Sequence, residues 1–336
     1  MGLVALTSAT ATFNPSLVSK QAIWIALGVL AGLAVASIPY TRWVDAGAFL
    51  YSGTLVLLMA VLLAGTVRLG AARWITVFGL SVQPSELAKL TTACWLARYL
   101  ANQPTPLPLR PLVISAGLLG AVMLLVFLQP DLGSASILGV IWFGTVWAAG
   151  LSMRHLGVLT ASCLALLPVG WHLLQDYQRT RLLAFMNPHA DPLGAGYTII
   201  QSKIAIGSGQ LVGRGWLSGT QNQLNFLPER HADFLYSVIG EEWGFIGAVA
   251  VAILFGLLVW RGIRIALHNS EPQGRVLAMA LVSWIAYQAV VNMGMVIGLV
   301  PVVGVPLPLV SYGGSGVRWR VVISVNRHEP RCPSKN

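Results

Sequence analysis

Eight stretches of this chain, residues 23–38, 46–67, 85–101, 112–128, 134–150, 156–174, 234–260 and 276–300, are too apolar and too long for most folds to accommodate. Runs of about 20 such residues match the hydrocarbon thickness of a bilayer. Inside that slab every backbone N–H and C=O must be bonded within the protein, which leaves the helix as the route across. Only 10% of the residues are charged, against about 25% in soluble domains. The expectation is an all-α polytopic membrane protein, one membrane domain over 1–336. Residues 1–12 are also apolar but too short to span, and Asn14, Pro15 and Ser16 break the run. No charged region precedes it, so no cleavable signal is expected.

The net charge of +10 invites a nucleic-acid reading. The basic residues are instead scattered through short loops, as the positive-inside rule and contact with anionic lipid require. Strict alternation of the eight spans puts Arg42, Arg98, Arg110, Arg154, Arg261, Arg264 and Arg275 on one side. The other short loops hold only Arg68 and Arg73, so the first side is expected to be cytoplasmic. The long loop 175–232 then lies outside, together with Arg73-Trp74, Gln83-Pro84-Ser85-Glu86, Gln129-Pro130-Asp131 and the Pro/Gly-rich turn 298–316. Cys94 and Cys163 lie in apolar runs and Cys332 in a polar tail, so no disulfide framework is expected.

The run 194–247 is the longest polar interruption, and it leads Glu229, Arg230, His231 and Asp233 into an apolar helix. Asp233 is expected in the first turn of that helix, where the dipole favours a carboxylate. It reads either as a helix cap or as part of an ionisable cluster at a membrane boundary, a functional feature by default. Glu241 and Glu242 are placed about 12 Å deeper at 1.5 Å per residue, each a candidate for pairing with an Arg or Lys. In the third span Ser85 reads as a cap, Glu86 as a first-turn acid and Lys89 as its i,i+3 partner.

Gly207-Ser208-Gly209 and Gly213-Arg214-Gly215 lack the strand before and the Gly-Lys-Ser/Thr after that a nucleotide loop needs. The glycines suit close packing or a turn. Lys203 and Arg214 place cations in the same loop as Asp233, able to meet a pyrophosphate. Glu229, His231 and Asp233 do not form a zinc pattern, so no resident cofactor is expected. A divalent cation would arrive only with a phosphorylated substrate.

GAARWITVFGLSVQPSELAKL, LQPDLGSA, the run 194–247 and GLVPVVGVPLPLVSYGGSG, in that order, resemble the SEDS family (shape, elongation, division and sporulation). The likeness extends over about residues 1 to 316. PERHADF and GYTIIQSKIAIGSG stand nearer the family's elongation branch than its division branch, where Ala usually replaces Arg230. The resemblance implies a helix bundle of about ten transmembrane helices, eight of them complete in this sequence, with a large extracytoplasmic loop. It departs from the family at the short first helix and at the polar tail 317–336.

The resemblance further implies a peptidoglycan glycosyltransferase of the bacterial plasma membrane. Its substrate would be lipid II, and its partners a class B penicillin-binding protein transpeptidase and the elongation machinery. The family's essential aspartate falls on Asp233 and its important first-loop tryptophan on Trp74, while Glu229, His231 and Lys203 match motif positions. Attack of a sugar hydroxyl on an anomeric carbon bearing lipid pyrophosphate needs one base and cations for the leaving group. Asp233 would be that base, with Lys203, Arg214 or Arg73 on the pyrophosphate and Trp74, Glu229, Arg230 and His231 in the substrate region. A lipid II flippase and an inactive scaffold for the transpeptidase remain as alternatives.

Overall fold

The computed structural model describes residues 2–10, 16–64, 66–68, 71–77, 80–224, 226–227 and 232–311, and between residues 64 and 82 the side chain of Trp74 only. The tail 317–336 and Glu229, Arg230 and His231 lie outside the described residues. Each apolar run holds a helix. After a short α1 (Gly2–Thr10) come α2 (Ser16–Ala36), α3 (Tyr40–Asp45) and α4 (Gly47–Ala64). Strands β1 (Thr66–Arg68), β2 (Ala71–Val77) and β3 (Leu80–Val82) follow, then α5 (Pro84–Ala101), α6 (Leu109–Leu128), α7 (Leu132–Ala148) and α8 (Met153–Leu173). The stretch 175–232 contributes α9 (Asp176–Met186), a 3-10 turn (Pro188–Ala190), α10 (Tyr197–Gly209) and α11 (Thr220–Gln223). Helices α12 (Leu235–His268) and α13 (Pro272–Ile297) complete the described chain.

Among the described residues, five helices, α2, α6, α8, α12 and α13, are long and apolar enough to cross a membrane, and α4 and α7 are shorter apolar helices. Helix α5 is the eighth, with Glu86, Lys89, Thr91 and Thr92 all buried in the bundle. The protein is a multi-pass membrane protein built as a helix bundle. Two apolar clusters form its core. One joins α4, α5, α6 and α7 to Trp284, Ala280 and Val291 of α13. The other joins α1, α10 and α12 to Ile285, Ala289, Met295 and Val296 of α13. Helix α13 is therefore a wall with packing on both faces. Helix α8, by contrast, buries no residue, as a helix can where lipid is as good a solvent as another apolar side chain.

Two local expectations are corrected. The second apolar run stops being helical at Ala64, and β1, β2 and β3 form an antiparallel sheet in that order. The Thr, Val and Ile residues of this stretch suit a pleated surface. Ser85 is not a cap: Pro84 opens α5 at a position where proline's missing N–H is harmless, and Ser85 sits inside the first turn.

The larger correction concerns α12. At Gly244 the backbone takes φ +65° and ψ −163°, a region open essentially to glycine alone. Tyr236 Oη donates to Ala248 O at 3.1 Å. Twelve residues of continuous helix span about 18 Å, far beyond a tyrosine's reach, so the chain doubles back at Gly244. Residues 235–243 run antiparallel to the start of 245–268.

A reversal inside an apolar bundle strands backbone groups, and residues 210–215 meet them. Phe245 N and Ile246 N donate to Gln210 O (2.8 Å) and Leu211 O (3.2 Å). Arg214 N and Gly215 N donate to Glu241 O and Glu242 O, both at 3.0 Å. Side chains at Gly209, Gly213 or Gly244 would collide with the opposing backbone. The glycine-rich stretch serves close packing rather than a nucleotide.

Gly244→Ala is expected to lower stability by about 3 kcal/mol, read as a drop in the thermal unfolding midpoint in detergent. Gly256→Ala, in the same helix with open space around it, should be neutral or slightly stabilising.

Candidate active site

Beyond α13 the chain cannot stay helical, because Gly298 adopts the left-handed conformation that ends the helix and Pro301, Pro306 and Pro308 follow. The resulting turn, residues 298–311, runs back along the bundle and offers its carbonyls to neighbouring elements. Arg181 Nη1 approaches Val302 O (3.5 Å), and Asn292 Nδ2 donates to Val305 O (2.8 Å). Gln21 Nε2 reaches Ser311 O at 3.5 Å, and the Ser311 hydroxyl accepts from Leu307 N at 3.0 Å. Gly133 packs on Val303 O and Gly2 on Val310 O.

Asp233 borders this turn. A Cβ at Gly304, where φ is +71°, would stand 3.5 Å from Asp233 Oδ2, so the turn's backbone passes directly beside the carboxylate. The Asp233 carbonyl accepts from Asn292 Nδ2 at 2.9 Å. Asn292 precedes the end of α13 by five residues, which sets Asp233 about 7 Å inside the bundle end. Asp233 lies two residues before Leu235, the first residue of α12, so it is outside the first turn. It is half-buried.

The doubling-back inverts the expected order of the acids. Glu241 and Glu242 lie at the reversal, at the opposite end of the 235–243 segment from Asp233, and not deeper in the bundle. Both are buried. Neither is paired with an Arg or Lys among the described residues. Glu241 accepts from Gln221 N (2.8 Å), Asn222 N (3.3 Å) and Thr220 Oγ1 (3.3 Å). Glu242 accepts from the Ser8 hydroxyl and from Asn222 Nδ2 (3.4 Å). These donors fasten α1 and α11 to the reversal.

The cations separate as well. Lys203 is exposed and its side chain lies over Gly298, where the turn begins, about 9 Å from the level of Asn292 along α13. Arg214 is held at the reversal, by Nε to Ser208 O (3.3 Å) and Nη1 to Thr220 Oγ1 (3.2 Å). It stands with the wrong carboxylates for the expected role. Arg181, which sequence reading overlooked, stands beside the turn, stacked over Tyr177 at 5.9 Å. Trp74 is half-buried on β2, which packs on α4 and α5. The backbone of Arg73 is in β2, and its side chain is outside the described positions.

The remaining polar motifs interlock. Asp131 caps α7 by accepting from Ser134 N (3.0 Å), and it also accepts from Gln83 Nε2 (3.1 Å). Tyr177 donates to Pro130 O at 2.6 Å. The Glu86–Lys89 pair forms as expected, 2.5 Å apart, with the ammonium 5.7 Å from the Trp284 ring. The sequence held one usable signal for Asn292, an amide within an apolar span.

The profile of the FtsW/RodA/SpoVE family, described as cell cycle proteins, matches residues 1–324. The chain belongs to that family. It is 42% identical over 313 residues to peptidoglycan glycosyltransferase MrdB of Escherichia coli (strain K12), covering 90% of this chain and 84% of that protein. Stage V sporulation protein E of Bacillus subtilis (strain 168) is 35% identical over 347 residues, covering 98% and 93%. Among solved structures, a chain of a peptidoglycan synthase complex that coordinates polymerization and crosslinking superposes with TM-score 0.82 at 35% identity, covering 97% and 92%. The rod shape determining protein RodA of Thermus thermophilus gives TM-score 0.70 at 30% identity, covering 97% and 88%.

Within this FtsW/RodA/SpoVE member the buried ion pair is expected to be structural. Lys89→Met should destabilise by about 3–5 kcal/mol by leaving Glu86 without its cation, and Glu86→Gln combined with Lys89→Met should recover part of that loss. Thermal unfolding of the two single variants and the double variant checks the coupling.

Proposed function

We propose that this chain is a peptidoglycan glycosyltransferase that polymerises lipid II into glycan strands, with Asp233 as the general base. The observation that carries the reading is the half-buried Asp233 carboxylate beside the turn 298–311, its main chain tied to α13 through Asn292, in a chain 42% identical to a protein named for that activity. In the reaction an acceptor sugar hydroxyl attacks the donor's anomeric carbon. The new C–O bond forms as the bond to the lipid pyrophosphate breaks, and the pyrophosphate departs with the electron pair. Asp233 takes the hydroxyl proton.

The leaving group carries its charge toward cations, and Lys203 and Arg181 stand beside the turn 298–311. Arg214 is not needed there. Any divalent cation would accompany the pyrophosphate. The motif end of the bundle would face outside, since the arginine-rich short loops lie at the other end, and the precursor would enter from the bilayer. The kinship with a chain from a complex that coordinates polymerization and crosslinking supports a class B penicillin-binding protein as partner. The likeness to MrdB favours wall elongation.

The test is glycan polymerisation from purified lipid II, with and without a class B penicillin-binding protein. Wild type should make polymer, and Asp233→Asn should reduce turnover by about 100-fold or more. Full activity in Asp233→Asn would remove the base assignment. Partner binding without polymer from wild type would support the scaffold reading instead.

A further inference from the structure

Asn292 lies within an otherwise apolar stretch of α13 and is fully buried. Its carboxamide has two N–H bonds, and Nδ2 makes two hydrogen bonds, to Asp233 O at 2.9 Å and to Val305 O at 2.8 Å. The first acceptor lies immediately before the residues that open α12. The second lies one residue after Gly304, whose backbone passes the Asp233 carboxylate. One side chain on a helix core thus ties the Asp233 backbone to the turn 298–311.

Packing alone does not call for an amide here. Its Oδ1 receives no hydrogen bond among the described residues, and a leucine would fill a similar volume without burying that oxygen. What leucine cannot supply is the pair of donors that reaches the Asp233 and Val305 carbonyls. The bonds also end on main chain rather than side chain, so they fix where the Asp233 backbone stands.

We propose that Asn292 is a positioning residue for glycosyl transfer, holding Asp233 and the turn 298–311 in register so that the carboxylate meets the acceptor hydroxyl. This rests on Asp233 acting as the base. A displacement of about 1 Å at a catalytic group can reduce turnover by about 100-fold, and the variants below remove the restraint without touching the carboxylate.

The test compares wild type, Asn292→Leu and Asn292→Asp as purified full chains, by steady-state polymerisation of lipid II and by hydrogen–deuterium exchange. Leucine keeps the volume but lacks both donors, and aspartate keeps the shape but carries at most one proton, so it cannot bond both carbonyls. For both, turnover should fall by about 100-fold while KM stays within about twofold. Exchange should quicken in peptides covering 232–237 and 300–311, with the body of α13 still protected. Wild-type turnover in either folded variant, or unchanged exchange in both peptides, would overturn the proposal. If wild type itself made no polymer, the glycosyltransferase reading would fail, and the exchange comparison would still decide whether Asn292 holds the two segments.

Discussion

The demand that buried backbone groups be bonded shapes this molecule more than any single side chain does. A helix that reverses direction inside an apolar bundle exposes N–H and C=O groups that lipid cannot satisfy. At Gly244 the chain does reverse, and residues 210–215 supply four matching backbone bonds. That docking requires glycine at several closely spaced positions, because any Cβ there would meet the opposing main chain. The buried acids add a second fastening: Glu241 binds the amides of α11, and Glu242 binds α1 through Ser8. The segment 235–243 is thereby held at its far end, and its near end places Asp233 beside the turn 298–311.

Helix α13 provides the opposing reference. Because both of its faces are packed, one against α5 and α7 and the other against α10 and α12, it cannot rotate without disturbing two cores. Its side chains are accordingly good anchors. Ser202 of α10 bonds to Val296 O and lies 3.2 Å from Ser237 Oγ of the reversing segment, so α10, α12 and α13 meet at a shared polar seam. The turn 298–311 departs from this rigid helix and is fixed again by Arg181, Asn292 and Gln21.

The sequence exposed the spans clearly, because a hydrophobic run of about 20 residues is a one-dimensional signal. All eight runs hold helices, and the Glu86–Lys89 pair followed from i,i+3 spacing on one of them. Direction is different. Hydropathy is the same whether a chain continues or doubles back, so the run 234–260 looked like one straight helix, and Glu241 and Glu242 were set on the wrong side of Asp233. The clue was present as Trp243-Gly244-Phe245 facing a second glycine-rich stretch thirty residues earlier. Only their contact in space gives it meaning. The position of Arg214 at the reversal is hidden for the same reason, since membership of one loop says nothing about which end of a buried hairpin a residue reaches. The sheet 66–82 went unseen because its alternation is short and adjoins a helical run.

Among the described acids, exposure sets Asp233 apart. Glu86 is tied to Lys89, Asp131 to Gln83 and the start of α7, Glu241 to the amides of α11, and Glu242 to Ser8 and Asn222. Each of these four is buried at 9% exposure or less, so none is open to an incoming hydroxyl. Asp45, Asp176, Asp191 and Glu271 lie on exposed loops or helix ends. Asp233 is half-exposed beside a backbone turn, with its main chain anchored from α13. The base proposed at Asp233 needs both properties at once, access for the proton donor and restraint on its own position. The fold supplies access by dipping the turn 298–311 back along the bundle, and restraint through the amide of Asn292.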